Sequence, residues 1–324
     1  MSAIASVRIH ASQFPENIRR DLLESLRTRR VNHKFHYDSA KQTQKWLALH
    51  QAYSPTRNDT DVQAIYNRCF AAAAARLKSR AVHVVGLGCG GGQKDTRLLK
   101  LLKARGRQIF YTPCDVSSAM TLVARQTARA VVPEQNCFPF VCDLATADDL
   151  PSHLATRHPS LVIFFGMIPN FEPQHILPKL AALIRPRDFL LFSANLAPGK
   201  DYVAGVKQIL PQYDNLLTRD WLLTFLFDLG IESNDGKLRF EIGNDPAGSG
   251  LKRVVARFYF KRARRIETEG EVFSFRPGNA MQLFFSYRYT PALVGKVLDR
   301  HGLEVCEQWI AKSGEEGVFL CRKR

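Results

Sequence analysis

No stretch of this 324-residue chain stays apolar for the roughly 20 residues that cross a bilayer, which argues against a membrane-spanning helix. The first residues, Met1 to Phe14, hold no apolar signal core, so a cytoplasmic protein is expected. Cysteine is sparse: seven residues, none in a C-x-x-C pair. An odd, scattered set argues for reduced thiols rather than a disulfide framework, and it leaves zinc without paired ligands. No metal site is expected. Zinc-finger, helix-turn-helix and RNA-binding signatures are missing too, as are internal repeats and low-complexity segments.

What is present is an ordinary globular composition, 45% hydrophobic and 23% charged, in a chain long enough for one large domain or two. Its formal net charge is +16, with local clusters at Arg27, Arg29 and Arg30 and at Lys261, Arg262, Arg264 and Arg265. Such an excess fits a nucleic-acid partner, a field that draws small anions, or a solvated basic surface. Charge alone reads no sequence. A basic surface is the leading expectation, with nucleic acid as the alternative.

The middle of the chain alternates in the manner of a parallel α/β sheet. Strands are expected over 81–87, 108–114, 137–142, 160–166 and 188–194, read as short continuous apolar runs such as Leu161-Val162-Ile163-Phe164-Phe165. Helices are expected over 93–104, 118–130, 151–157 and 173–183, with another over 61–77 leading into the first strand. Residues 201–229 read as mainly helical. A loop-rich stretch with β-like segments at 237–242, 253–261 and 271–275 follows. A helix over 291–302 and two strands, 303–310 and 317–321, finish the chain.

The first of these strands runs into five glycines in seven residues, Gly86-Leu87-Gly88-Cys89-Gly90-Gly91-Gly92, and the second ends on Asp115. Glycine lets the backbone turn sharply and lets a ligand lie against bare main chain, while a carboxylate one strand later suits ribose hydroxyls. The loop lacks the G-K-S/T ending of a P-loop. A dinucleotide can be fitted to it, so the glycines alone leave NAD and S-adenosylmethionine both open. S-adenosylmethionine carries no pyrophosphate and needs only the short Gly88-Cys89-Gly90 turn. Asp115 for its ribose and Asp143-Leu144 for its adenine follow in methyltransferase order.

At these residues the chain resembles the S-adenosylmethionine-dependent L-histidine Nα-methyltransferases of ergothioneine biosynthesis. Their glycine loop and K-T-R-x-L-L block match Gly86 to Gly90 and Lys94-Asp95-Thr96-Arg97-Leu98-Leu99. Their Y-x-P-x-D-V-S block matches Tyr111 to Ser117, and their F-x-G…N-F block matches Phe164 to Phe171, one residue shorter. Tyr37-Asp38, Tyr53 to Arg57, Tyr213-Asp214-Asn215 and Phe284 to Tyr289 match further blocks in order, so the resemblance runs from about residue 30 onward.

The resemblance implies an α/β fold, a class I (Rossmann-like) methyltransferase sheet with a second, smaller α+β substrate domain. The cofactor domain would hold residues 62–200 and 287–324, and the substrate domain 14–61 and 201–286. It implies S-adenosylmethionine bound by Gly86, Gly88, Cys89, Gly90, Lys94, Asp115, Asp143 and Leu144. Asn170 and Tyr37 would carry the catalytic role as positioners, since methyl transfer needs an aligned, deprotonated nucleophile rather than a triad. Tyr37, Tyr53, Gly166, Asn170, Tyr213, Ala256, Phe284 and Ser286 would line the substrate. As a bland alternative, Asn170 caps the helix that follows it.

Two departures bear on the substrate. Where the histidine enzymes place the glutamate that binds imidazole, this chain has Phe284, and their R-I-E-M methionine is Ala256. A buried imidazole without its carboxylate costs about 1–3 kcal/mol. The expected reaction is therefore N-methylation of the α-amino group of an amino acid or related small amine other than histidine. A nucleic-acid methyltransferase and a non-catalytic S-adenosylmethionine-binding homologue are the alternatives.

Overall fold

Apolar runs of five to eight residues, each ended by glycine, an acidic residue or a turn, set the strands at the centre of the chain. The computed structural model describes residues 6–324; residues 1–5, part of the stretch read for a signal core, lie outside the described residues. The order begins with β1 (Arg8–Ile9), α1 (Pro15–Thr28), α2 (Ala40–Tyr53), α3 (Pro55–Asn58) and α4 (Thr60–Arg76). It continues with β2 (Ala81–Leu87), α5 (Gln93–Ala104), β3 (Gln108–Asp115), α6 (Ser118–Ala128), β4 (Phe140–Val141), α7 (Leu150–Leu154), β5 (Ser160–Phe164), α8 (Pro173–Leu183) and β6 (Phe189–Asn195). Then come α9 (Tyr202–Tyr213), α10 (Leu216–Asp228), β7 (Gly236–Asn244), β8 (Lys252–Phe260), β9 (Arg264–Thr268), β10 (Glu271–Phe275) and β11 (Ala280–Arg288). The chain finishes with α11 (Pro291–Asp299), β12 (Leu303–Ile310) and β13 (Glu316–Lys323).

The pattern places β2, α5, α8, β10 and β12 at their observed bounds. The strand expected over 137–142 shrinks to Phe140–Val141: Cys137 makes only an isolated bridge to Tyr111, and Pro139 has no N–H to give. Sequence pattern does not mark α1, α2, β9 or β11. Helix α2 buries only the polar Gln42 and Thr43, so it carries no apolar stripe. Strand β11 has a bulge between Gln282 and Phe284, which breaks its period of two.

The chain forms two compact units. One holds residues 6–13, Asp59–Leu196 and Tyr289–Arg324; the other holds Phe14–Asn58 and Ala197–Arg288. In the first, eight strands lie in the order β1-β4-β3-β2-β5-β6-β13-β12. The strands from β1 to β6 are parallel, while β13 joins β6 antiparallel and pairs with β12 in a terminal hairpin. Strand order reverses between β2 and β5, and in open α/β sheets ligands settle outside the carboxyl ends at such a point. The glycine loop and Gly166 stand at those two ends. Val82, Val84, Leu98, Leu99, Leu161 and Ile163 form part of the buried core beneath them.

The second unit has a three-stranded antiparallel sheet, β11-β8-β7, and a separate β9–β10 hairpin. Its own core gathers Trp221, Leu222, Phe225, Phe258, Phe260 and Met281.

Candidate active site

In the first unit, Gly88, Gly90 and Gly92 all take left-handed backbone, at φ 63°, 50° and 72°, where a side chain is strained. A Cβ on Gly92 would stand 2.8 Å from the Ala124 Cα of α6, and one on Gly86 2.1 Å from the Asp95 Oδ2. The loop is thus bare because its neighbours press on it. Its main chain is tied to β3: Cys89 N donates to Cys114 O at 3.0 Å.

Asp115, at the end of β3, accepts from Gly90 N at 2.9 Å and from Ser117 N at 3.0 Å. Burial raises its pKa despite these bonds. The carboxylate therefore braces the glycine loop, which follows β2, from the end of the neighbouring strand β3. Burial also pushes the Cys89 thiol up, with Asp115 and Asp95 adding to it, so this cysteine is not a thiolate.

Asp143 lies in a built turn: its Oδ1 accepts from Ala145 N at 2.9 Å and its Oδ2 from Thr146 Oγ1 at 3.2 Å. Lys179 closes the turn by donating to the carbonyls of Ala145 and Ala147 at 2.7 and 2.9 Å and, more weakly, to that of Leu144. Leu144 is buried. Lys94 has its ammonium elsewhere, donating to Tyr66 Oη at 3.3 Å and lying over the Tyr66 ring at 4.8 Å. Tyr66 in turn donates to Glu316 at 2.6 Å.

At the end of β5, Gly166 has φ 71° and nothing within 4 Å of where a Cβ would be, so the space before it is open. Its N–H donates to Ser193 Oγ at 2.8 Å. Asn170 closes a short 3-10 turn, Ile168–Asn170, while the N-cap of α8 is Glu172. Asn170 is therefore not the helix cap. Its side chain is half-buried at the end of that turn, while its backbone N–H donates to Met167 O at 2.9 Å.

Bare glycines at the sheet's switch point, a braced carboxylate at the next strand and open space at Gly166 make a cradle that fits S-adenosylmethionine. Asp95, which the sequence reading leaves out, lies under this cradle. Tyr111 Oη donates to it at 2.8 Å, and burial raises its pKa to about 6.

In the second unit, Tyr37 lies against Trp221 (5.4 Å between centroids) and Trp46 (6.0 Å), and Trp221 meets Phe284 edge to face at 5.6 Å. Phe284 also faces Tyr213 at 6.4 Å and pairs across the ladder with Ala256. Tyr213 Oη donates to Ser286 Oγ at 2.8 Å and accepts from Arg288 Nη2 at 2.8 Å. Tyr37, Tyr213, Ala256, Phe284 and Ser286 therefore belong to one aromatic wall. Tyr53 does not: it is 55% exposed at the end of α2. Trp221, Trp46 and Arg288 join the wall unforeseen; aromatic spacing along α10 was the available signal for Trp221.

The segment carrying Tyr37 is fixed from both sides. Lys34 makes a buried ion pair with Asp21 at 2.6 Å, and Trp221 Nε1 donates to His36 O at 2.8 Å. His36, buried and bonded through Nε2 to Leu283 O at 2.7 Å, has its pKa lowered by burial to about 4 and is neutral at pH 7. Burial raises the Asp38 carboxyl, next along the chain, to about 6.

One further cluster has ligand-like composition. Among the described residues, His10, Asp149 and His153 bring their donor atoms within 4.8 Å of one another. His10 Nδ1 accepts from Ser12 N at 3.0 Å, which puts the ring proton on Nε2, and Nε2 donates to Asp149 at 2.8 Å. A cation on Nε2 would force that proton onto Nδ1, facing an N–H. The cluster is a hydrogen-bonded bracket between the β1 segment and α7.

Comparison with known proteins adds one strong match. The model of a family described as histidine-specific methyltransferase, SAM-dependent, matches residues 18–215. No curated protein matches the chain significantly. Among solved structures, the chain is similar to the CcbJ methyltransferase from Streptomyces caelestis (14% identity, 80% of this chain and 94% of that one, TM-score 0.43). It is also similar to magnesium protoporphyrin IX methyltransferase from Synechocystis PCC 6803 (12%, 89% and 97%, 0.46). A third is 1,6-didemethyltoxoflavin-N1-methyltransferase from Burkholderia thailandensis (12%, 87% and 86%, 0.44).

Proposed function

We infer that this chain, which belongs to the histidine-specific, SAM-dependent methyltransferase family, methylates the α-amino group of an amino acid or related small amine with an aromatic or apolar side chain, and not histidine. When bound, S-adenosylmethionine supplies an electrophilic sulfonium methyl group. Gly86, Gly88, Cys89 and Gly90 would hold it with Asp115, and Asp143 and Leu144 would flank its adenine. Lys94 would act only indirectly, through Tyr66. Asn170 would accept an N–H of the substrate's amino group through its amide oxygen, which fixes the direction of the nitrogen lone pair.

In this reading the second unit selects the substrate, with Tyr37 and the hydroxyl pair Tyr213–Ser286 offering donors to an amino-acid carboxylate. Tyr53 would join them only at the rim. The observation that carries the substrate class is Phe284, an aromatic ring packed on Trp221 where the family's histidine enzymes carry a carboxylate. A wall without that acceptor leaves imidazole N–H unpaired, which selects against histidine.

The test is a screen of free amino acids and aromatic amines with purified protein and S-adenosylmethionine, read by mass for one, two or three added methyl groups. An aromatic or apolar amino acid is expected to be methylated and histidine to be left unchanged. Asn170→Ala should abolish turnover while S-adenosylhomocysteine still binds, and Asp115→Ala should weaken that binding about 10- to 100-fold. Histidine as the preferred substrate would overturn the specificity; full turnover by Asn170→Ala would overturn the site.

A further inference from the structure

A cavity of about 440 Å³ opens on the first unit away from the glycine loop, lined by Arg8, His83, Phe110, His153, Arg157 and His158 among others. Its size is that of an ordinary small-molecule site. Among the described residues lining it there is no carboxylate. Asp149 and Asp188, the acids bonded to this wall, are both committed. Asp149 is held by His10 and His153, and Asp188 by Arg185 at 2.6 Å.

The rim is built. Arg185 donates to Thr156 O and, at 2.6 Å, to His158 O, while Arg187 donates to Arg157 O at 2.7 Å. This holds the 156–158 turn with Arg157 exposed and, among the described residues, without an ion-pair partner. On the opposite side Arg8 is anchored by its bond to His153 O at 3.1 Å and, among the described residues, also has no carboxylate partner. The His158 ring stacks on Phe110 at 4.6 Å and 10°, a flat platform, and Phe138 is 40% exposed beside it.

His83 also lines it, 6% exposed and bonded through Nε2 to Thr112 Oγ1 at 2.8 Å, while its buried Nδ1 has no partner among the described residues. Two arginines, Arg8 and Arg157, are thus the fixed charges of this lining.

We propose that this cavity is a second ligand site, for a small planar ring bearing an oxyanion, with Arg8 and Arg157 on the charge and the His158–Phe110 stack against the ring. The His83 pKa is lowered to about 4, by burial first and then by His158, Arg185 and Arg8, with Asp188 opposing them. An anion among these groups must raise it.

The probe is 1-naphthyl phosphate, titrated into the full chain saturated with S-adenosylhomocysteine so that the cofactor cradle is filled. It should bind at least ten-fold more tightly than 1-naphthol or inorganic phosphate, and the His83 ring should titrate at higher pH with the probe than without. Arg157→Ala and Arg8→Ala should each weaken it about ten-fold, with S-adenosylhomocysteine affinity and Tm unchanged. Equal binding of all three probes, indifference to both arginine variants, or loss of the probe on adding S-adenosylhomocysteine would overturn the site.

Discussion

Asp95 shows how a single residue's setting reshapes its chemistry. Gly86 has no side chain where the Asp95 carboxylate sits, Tyr111 donates to that carboxylate, and burial lifts its pKa to about 6 from an ordinary 3.8. The folded chain therefore holds this proton more tightly than the unfolded one. The stability so gained is complete below about pH 4 and is lost as pH rises through about 6. Asp95→Asn keeps an acceptor for Tyr111 but carries no titrating charge. Relative to wild type it should gain about 2–3 kcal/mol between pH 4 and pH 7. Urea denaturation at the two pH values measures this; a difference that does not change with pH would refute the buried charge. His36 and His83, both lowered to about 4, work the other way and lose stability as pH falls from 6.5 toward 4. The wild-type-minus-variant difference removes their contribution. Nothing in the local sequence around Asp95 announces this, because its burial depends on a strand and a glycine outside its own helix.

At the scale of elements, β11 is the one on which the proposed specificity rests. Its bulge between Gln282 and Phe284 inserts Leu283, whose carbonyl accepts from His36, and leaves Phe284 packed on Trp221 and Tyr213. Two residues on, Ser286 takes the Tyr213 hydroxyl. Phe284→Glu restores the carboxylate that the family's histidine enzymes use. It should raise kcat/KM for histidine about ten-fold or more, and lower it for the native substrate. Phe284→Leu, which loses the ring contacts without adding charge, should lower the second and leave the first unchanged. Both variants loosen the packing of this half-buried ring, so a Tm shift accompanies them and does not decide the matter. Histidine methylation that stays undetectable in Phe284→Glu would remove Phe284 from the substrate wall. The strand itself escapes a reading by alternation because the bulge shifts its faces midway, whereas β2, α5 and α8, with unbroken local patterns, were legible to the residue.

Over the whole molecule, the charge of +16 is the feature that keeps a nucleic-acid substrate in view. Many of the cations are already spoken for on the surface: Arg19 with Glu269, Lys45 with Asp220, Arg257 with Glu241. The expectation is weak binding of RNA or DNA that falls steeply with added salt, with no methyl group incorporated. Radiolabelled transfer into either polymer would favour the nucleic-acid reading instead. The sequence by itself determined the α/β alternation, the glycine loop with Asp115 after it, and the family, because each rests on residues close in the chain whose spacing has direct physical meaning. Only the tertiary structure decided which distant residues meet. Tyr37, Trp221 and Phe284 share a wall, Tyr53 stands outside it, Lys94 turns to Tyr66, and Arg8 joins His83 and Arg157 around one cavity. Those meetings follow from strand order, the β11 bulge and burial, which are set by packing across more than a hundred residues and leave no periodic trace in any one segment.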